Sequence, residues 1–425
     1  MINKFLYPNG GSETYIFSLG ETLRRHGHEV QYFGMEHEGR CVGNEAGAYT
    51  QDMEFHKGSR LSKITYPVRV IYSSEARRKI RLVLEDFRPD VCHLNNFNYQ
   101  LTPSIILEIR KWERERNHPV RIIYTAHDYQ LICPDHMLYN QTSQRICEKC
   151  LRGRFRSCFA DRCIHGSRAR SLIGMMEASY WNHRKVYRQI DAVICPSFFL
   201  KSRLDRNPVF REKTIALHNF MPEKGDDEKK SGSSGASASM NLSGTRQDGS
   251  ENPSPELPGR YVLYFGRFSE EKGIRTLLAV CRELPEIRFV FAGSGPLENE
   301  VRAAANVICA GFLSGERLRK TIQGAEFSIY PSEWYENCPY SVMESQKLGT
   351  PVLGARIGGI PELIREHVSG ELFESGNKEE LKKKISFLWN NKDKTQGLRK
   401  GCETVQFDGP EEYYQKIMSV YCPER

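Results

Sequence analysis

Two acidic side chains, Glu336 and Glu344, bracket the run Asn337-Cys338-Pro339-Tyr340-Ser341-Val342-Met343. Pro339 suits the first turn of a helix, and Gly349-Thr350-Pro351 suits its end. The pattern predicts Glu336 in a loop at the carboxyl end of a strand and Glu344 two turns into the helix. One carboxylate then stands at the mouth of a cleft, and the other can accept two hydrogen bonds from a ribose diol. Backbone N–H groups around Cys338–Ser341 form a partly positive helix start that suits a diphosphate. Two glutamates at this spacing also occur on ordinary solvated helices, so the chemistry needs further partners.

The run Gly266-Arg267-Phe268-Ser269-Glu270-Glu271-Lys272-Gly273 supplies two of them. It lies between an apolar strand and a helical pattern, where Arg267 and Lys272 could neutralise a leaving diphosphate. A charged strand-to-helix loop is the plainer description of the same residues. Near the start, Asn9-Gly10-Gly11-Ser12-Glu13 precedes a helix. Paired glycines let a ligand approach the backbone, and Ser12 could cap the helix. His127, in Tyr124-Thr125-Ala126-His127-Asp128, ends an apolar strand, where either a cleft residue or a structural histidine belongs.

The chain has thirteen cysteines. Cys147-x2-Cys150, then Cys158 and Cys163, lie in a tight polar segment with Cys133 and His165 close by. Four thiolates with this lead match a small tetrahedral zinc site, whose role would be structural because no coordination position stays open. A loop of reduced free cysteines and an iron–sulfur cluster are the other readings. From Arg152 to Arg188 basic residues outnumber acidic ones, interleaved with Phe155, Phe159, Trp181 and Tyr187. Such a face could dock on anionic lipid, or be an ordinary solvated surface. A nucleic-acid role would leave the second half of the chain unexplained, so no nucleic acid is expected as a partner.

These residues must be held by something larger. At 425 residues the chain suits two α/β domains, and its net charge of +8 suits anionic partners. From Glu223 to Gly259 it is charged, then Ser/Gly-rich, then Pro-rich, which predicts a flexible tether over 223–258. This gives an N-terminal domain over 1–222, with a Cys-rich basic insert at 133–188, and a second domain over 259–405. In the second, short apolar runs at Tyr261–Gly266, Arg288–Gly293, Val307–Phe312, Phe327–Pro331 and Pro351–Gly354 alternate with helical patterns. That implies a doubly wound parallel sheet, which binds ligands beyond the carboxyl ends of its strands. The first half is less regular: helix 12–26, then strands at Glu29–Phe33, Val91–Leu94, Val120–Ala126, Ala192–Pro196 and Thr214–Leu217. No run of about 18 apolar residues could span a bilayer, and the N-terminal residues contain no apolar stretch of signal-peptide length. A cytoplasmic protein is expected, with peripheral contact to the inner membrane face through the basic insert.

Taken together, the ordered set resembles glycosyltransferase family 4 on the GT-B fold, two Rossmann-like domains facing across a cleft. Its most specific part runs from Pro331-Ser332-Glu333-Trp334-Tyr335-Glu336 to Glu344, then Gly349-Thr350-Pro351-Val352 and Gly358-Gly359-Ile360-Pro361-Glu362. Gly-Arg-x4-Lys-Gly upstream and Gly-Gly-x-Glu at the start complete it. The resemblance implies that Arg267 and Lys272 hold the donor diphosphate, with Asn337, Cys338, Pro339 and Tyr340 lining it. Glu336 would contact the transferred sugar and Glu344 the ribose. Gly10 and Gly11 would line the phosphates from the first domain. Gly311-Phe312-Leu313 would meet the base, and His127 would stand beside the reacting centre. Residues 406–425, from Gly409-Pro410-Glu411 onward, resemble a last helix that crosses back to the first domain. The implied reaction retains anomeric configuration, with a UDP- or GDP-linked sugar as donor and a glycan or lipid-linked acceptor in cell-surface polysaccharide assembly. No Asp-x-Asp lies beside a strand, so no metal is expected for donor binding, and no cofactor for catalysis.

The family has a complete first strand before the Gly-Gly loop, whereas here only Met1–Leu6 precedes it. Either the true start lies upstream or the central strand of the first sheet is truncated, which would expose sheet edges. A pseudo-enzyme that binds nucleotide or glycan without turnover, and a zinc-dependent adaptor for membranes or nucleic acid, are the competing classes. The first would follow from the short strand. The second would need the four cysteines but not Glu344.

Overall fold

The computed structural model describes residues 1–51, 69–222 and 257–423. The tether expected over 223–258 therefore lies almost wholly outside the described residues. On either side of it stand two parallel sheets, each with its own core.

The first sheet has four strands in the order β1 (Val91–Leu94), β2 (Arg121–Thr125), β5 (Ala192–Cys195) and β6 (Thr214–Ala216), all parallel. A hairpin of two-residue strands, β3 (Tyr139–Asn140) and β4 (Arg145–Ile146), stands apart from it. Glu29–Phe33 does not form the expected strand. Only Phe33 makes a parallel bridge, to Ile2, which in turn bridges Leu94. Residues 1–4 nevertheless fill the position between these two neighbours. Ile2 N–H donates to the His93 carbonyl at 2.8 Å and its own carbonyl accepts from Asn95 N–H at 2.8 Å. On the other side, Phe33 N–H donates to the Met1 carbonyl at 2.9 Å. Backbone pairing on both flanks removes the exposed edges that a missing central strand would leave.

The second sheet has six strands: β7 (Val262–Phe265), β8 (Phe289–Ala292), β9 (Val307–Gly311), β10 (Ser328–Tyr330), β11 (Val352–Ala355) and β12 (Gly370–Phe373). Their spatial order is β9-β8-β7-β10-β11-β12, so the winding reverses between β7 and β10. This is the doubly wound order with its switch point there. Strands β7, β8, β11 and β12 are buried at every residue, as strands covered on both faces must be. Four of the five apolar runs contain a strand, and the fifth, Pro351–Gly354, overlaps β11, which ends one residue later at Ala355. Strand β12 was not expected, since Gly370-Glu371-Leu372-Phe373 carries a charged residue and follows a stretch rich in charge.

The last helix, Pro410–Tyr421, leaves the second half and packs on the first. Its Tyr413, Ile417, Val420 and Tyr421 join Tyr15, Ile16, Leu19, Ile123 and Ile194 in one buried cluster. Polar ends meet as well: Tyr15 and Tyr413 hydroxyls are 2.8 Å apart, and Tyr421 OH is 2.6 Å from His93 Nδ1. Each fully buried Ile or Val here contributes about 1.5–3 kcal/mol. The helix thus clamps the two halves on one side of the cleft. A second clamp comes from Glu362, whose carboxylate accepts from Phe198 N–H (2.8 Å), Phe199 N–H (2.7 Å) and His218 Nε2 (2.8 Å). A carboxylate from one half therefore caps a helix start in the other, a favourable placement for a negative charge.

Candidate active site

Open α/β sheets bind ligands where the winding reverses, because the loops leaving the two central strands diverge there. The loop after β7 carries Arg267 and Lys272, and the loop after β10 carries Glu336. Left-handed Gly273 (φ 72°) brings these loops into contact, since a Cβ there would stand 1.9 Å from the Pro331 carbonyl oxygen. Lys272 Nζ consequently reaches Glu336 Oε1 at 2.5 Å. Gly358 and Gly359 pack as tightly beneath: a Cβ on Gly359 would meet the Asn337 carbonyl at 1.8 Å, and its N–H donates to the Glu336 carbonyl at 2.7 Å.

Glu336 is buried, and its Oε1 also accepts from Ser332 Oγ at 2.6 Å and Trp334 Nε1 at 2.8 Å. Its Oε2 has no partner among the described residues. Lys272 lies over the Trp334 ring at 5.2 Å. Burial works against the lysine charge, but the adjoining Glu336 carboxylate outweighs it and holds the ammonium above the ordinary lysine range. The lysine therefore stays charged.

The helix Tyr340–Lys347 begins one residue later than Pro339, which occupies the N-cap position with extended backbone (φ −69°, ψ 120°). This helix start lies against the first half of the chain, where Asn219 Nδ2 donates to the Cys338 carbonyl at 3.1 Å. Gly11 lies against Tyr340, with its Cβ position 3.2 Å from Tyr340 Cδ2. Gly10 is the N-cap of helix Gly11–Arg25 and has no side chain to satisfy that helix start. Two helix N-termini thus approach the same region, which favours an anion. Asn337 Nδ2 donates to the His127 carbonyl at 2.7 Å and ties the two halves together at the centre. Cys338 is a packing residue: its sulfur rests 3.7 Å from Met343 Sδ, and burial pushes its thiol up to about 12.

His127 is half-buried, with Nε2 2.9 Å from Asn95 Oδ1 and its ring edge-on to Tyr15. Burial lowers its pKa to about 4 against a weaker opposite pull from Asp128, so the imidazole is neutral at pH 7. The Glu344 carboxyl has no hydrogen-bond partner among the described residues, and burial raises it to about 7. Arg267 is exposed and its guanidinium is unpaired among the described residues. Phe312 is 69 % exposed beyond β9, two strand spacings or about 10 Å from the switch point. Leu313 packs partly against the cluster that includes Tyr261 and Phe265.

Some participants have roles that the sequence pattern does not assign. Ser332 and Trp334 share the Glu336 oxygen. Asn95 orients His127, while Asn96 Nδ2 holds Ser12 Oγ at 2.9 Å. Glu13 accepts from Asn3 Nδ2 (2.9 Å) and Ser12 Oγ (2.8 Å), and burial depresses Lys4, which stands near Asp128 and Glu13. The one available signal was the polar pair Asn95-Asn96 directly after an apolar strand. The four cysteines expected to hold metal do converge on one cavity, with Cys133. Among the described residues no three of their sulfurs lie within 4.8 Å of one another. Glu366, His367 and Glu371 do form such a group, but Lys384, Lys394 and Arg356 already neutralise it.

Comparison with known proteins follows the same division. Residues 9–223, just over half of the chain, match the family described as Glycosyltransferase Family 4, and residues 248–403 match Glycosyl transferases group 1. Sulfoquinovosyl transferase of Arabidopsis thaliana is 31% identical over 165 residues, 37% of this chain and 32% of that protein. The chain thus matches only about a third of that relative's length. Among solved structures, sucrose-phosphate synthase from Thermosynechococcus elongatus superposes with a TM-score of 0.63 at 16% identity, covering 99% of this chain and 94% of that one. Anabaena HepE in complex with UDP-glucose gives 0.61 at 14% identity, with 99% and 97% covered. These likenesses establish the two-domain GT-B fold.

The Glu344 carboxyl generates a test. Its raised pKa means that the folded protein holds this proton more tightly than the unfolded chain. The group therefore opposes folding increasingly as pH climbs from the usual carboxylate range to about 7, and no further above it. A ribose diol that donates to the ionised carboxylate has the opposite dependence. Affinity for the bound nucleotide sugar should rise up to about tenfold between roughly pH 6 and pH 8. Glu344→Gln should flatten that profile in calorimetric titration, and a flat wild-type profile would contradict the assignment.

Proposed function

The chain belongs to glycosyltransferase family 4, and we propose that it transfers a sugar from a nucleoside-diphosphate donor to an acceptor hydroxyl with retention of configuration. The observation that carries this reading is the convergence of Lys272, Glu336, the free N-terminus of helix Tyr340–Lys347 and Gly10–Gly11 on the switch point. The diphosphate lies between the two helix starts, with Arg267 and Lys272 as its fixed cations. Asn96 Oδ1, Asn337 Oδ1 and Tyr340 OH are buried without partners, polar groups that a bound ligand would satisfy. Glu344 accepts from the ribose diol, and the exposed Phe312 ring offers a face to the base. UDP- and GDP-linked sugars are the donor class proposed; the complex of Anabaena HepE with UDP-glucose supports the former.

In the reaction the bond from the anomeric carbon to the diphosphate oxygen breaks, and its electron pair leaves with the phosphate. Arg267, Lys272 and the helix start stabilise the charge that grows there. The acceptor hydroxyl attacks the same face of the anomeric carbon, and its proton passes to the departing phosphate oxygen. Glu336 Oε2 receives a sugar hydroxyl and steadies the positive charge on the ring. The neutral His127 lines the reacting face and can exchange hydrogen bonds without adding charge. Protein cations and helix starts supply the positive charge at the diphosphate, so the mechanism assigns no step to a metal.

The acceptor proposed is a glycan or lipid-linked glycan, with cell-surface polysaccharide assembly as the setting. Helix Arg168–His183 exposes Leu172, Met176 and Tyr180 at four-residue spacing, one apolar stripe on a basic segment. That combination fits peripheral contact with an anionic membrane. No helix among the described residues is long and apolar enough to cross one.

Proton NMR of the product decides the reaction: the new linkage keeps the donor's anomeric configuration, and Glu336→Gln lowers kcat about 100-fold or more while the protein stays folded. An inverted product, or full activity in Glu336→Gln, contradicts the mechanism. For the membrane contact, the protein should float with phosphatidylglycerol-containing vesicles and not with phosphatidylcholine alone. Equal behaviour with both vesicles would remove the electrostatic part of that reading.

A further inference from the structure

Away from the cleft, the first half carries a small lobe whose core is mostly sulfur. Between Cys133 and Ser167 the chain makes the β3–β4 hairpin, a five-residue helix Arg156–Ala160 and tight turns. Its buried cluster is Cys150, Phe155, Cys158 and Cys163, with Ile164, Met175 and Ala178 against it. Units below about 40 residues rarely hold themselves by apolar burial and rely on disulfides, metals or partners. The cluster's three cysteines and the neighbouring Cys147 are free thiols here.

Cys147, Cys150, Cys158 and Cys163, joined by Cys133 and Asp135, line a single cavity of about 10 Å³, room for one ion or one water. A buried amide already faces one of these sulfurs. Asn140, itself 5% exposed, directs Nδ2 at Cys163 Sγ over 3.5 Å. Asp135 Oδ2 is buried without a partner at the wall of the same cavity. Unpaired acidity and converging thiols call for a cation. Thiolates select a soft or borderline metal, and four of them close a tetrahedron.

We propose that Cys147, Cys150, Cys158 and Cys163 bind one zinc ion as four thiolates, and that this ion holds the lobe together. A Zn–S bond of about 2.3 Å sets the sulfurs about 3.8 Å apart. Since no three of them now lie within 4.8 Å, binding draws the Cys147–Cys150 knuckle toward Cys158 and Cys163 across the cavity they share. Each thiol releases its proton to solvent as the metal enters. The doubly negative centre that results is offset by Lys149, Arg152, Arg154 and Arg156 on the same segment. The lobe also reaches the donor side. Glu148, inside the knuckle, pairs with Arg203 (2.7 Å) and Arg206 (2.5 Å) and accepts from Tyr335 OH at 3.1 Å. Tyr335 directly precedes Glu336, so a fixed knuckle buttresses the loop that presents that carboxylate.

Elemental analysis of the full-length protein, purified under reducing conditions from zinc-supplemented cells, tests this directly. The expected result is about one zinc per chain, released by a mercurial reagent into a chromogenic chelator. Cobalt(II) exchange should give the visible bands of a tetrahedral tetrathiolate. Cys163→Ser should lose the metal, while Cys281→Ser, buried in the other half, should keep it. If Cys163→Ser fails to fold, the wild-type stoichiometry and cobalt spectrum still decide. Folded wild-type protein with less than about 0.1 zinc per chain overturns the proposal, whether thiol titration then finds thirteen free thiols or disulfides. Iron in place of zinc overturns it equally.

Discussion

Burying the Glu336 carboxylate beside the Lys272 ammonium is tolerable only because three donors meet on one oxygen while the other remains open. Lys272, Ser332 and Trp334 all reach Oε1. Removing one partner of such a pair strands the other charge and costs about 3–5 kcal/mol. The surrounding backbone follows from this requirement. Gly273 must be left-handed so that the β7 loop can close on the β10 loop, and Gly358 and Gly359 must be small so that the Glu336–Asn337 backbone can settle on them. The pair also fixes where Oε2 points, and from there Asn337 carries the geometry to His127 in the other half. The proposed donor site, divided between two sheets, depends on that chain of contacts, with Glu362 and the helix Pro410–Tyr421 joining the two halves.

The second sheet was legible because its strands are buried on both faces and therefore read as unbroken apolar runs between amphipathic helices. The exception, β12, is an edge strand that carries Glu371 among its residues, and its carboxylate is held by Lys384 and Lys394 from outside the strand. The first sheet was harder. Residues 1–4 and 33–35 pair through isolated bridges, so their periodicity is too short to register, and Glu29–Phe33 looked like a full strand when only Phe33 bridges. Helix 168–183 lay inside a segment whose cysteines and arginines gave it no clear 3.6-residue pattern.

For the site, the residues that declared themselves were those with a chemical type suited to a diphosphate or a diol and a place beside a strand end or helix start. Lys272, Glu336, Gly11, Tyr340, Asn337 and His127 do come together. The residues that orient them did not declare their roles: Ser332 and Trp334 stand in the motif, but that they meet the Glu336 oxygen, and that Asn95 meets His127, is visible only once the loops are folded. The sequence also could not show that Arg267 and Glu344 would stand unpaired while Lys272 and Glu336 neutralise each other. That division is sensible for a donor site. Lys272 and the free Glu336 Oε2 are thereby held in fixed positions, while Arg267 and the Glu344 carboxyl, which burial raises to about 7, stay open to a ligand.

The central claim is that a nucleoside diphosphate binds between β7 and β10. Thermal unfolding of the full-length protein with UDP, GDP, dTDP, CDP and ADP in turn, beside Glu344→Ala and Lys272→Ala, addresses it most directly. The account predicts that one nucleotide raises Tm and that both substitutions abolish the rise. A folded protein whose Tm no nucleotide moves, or a rise that survives both substitutions, would contradict the donor site described here.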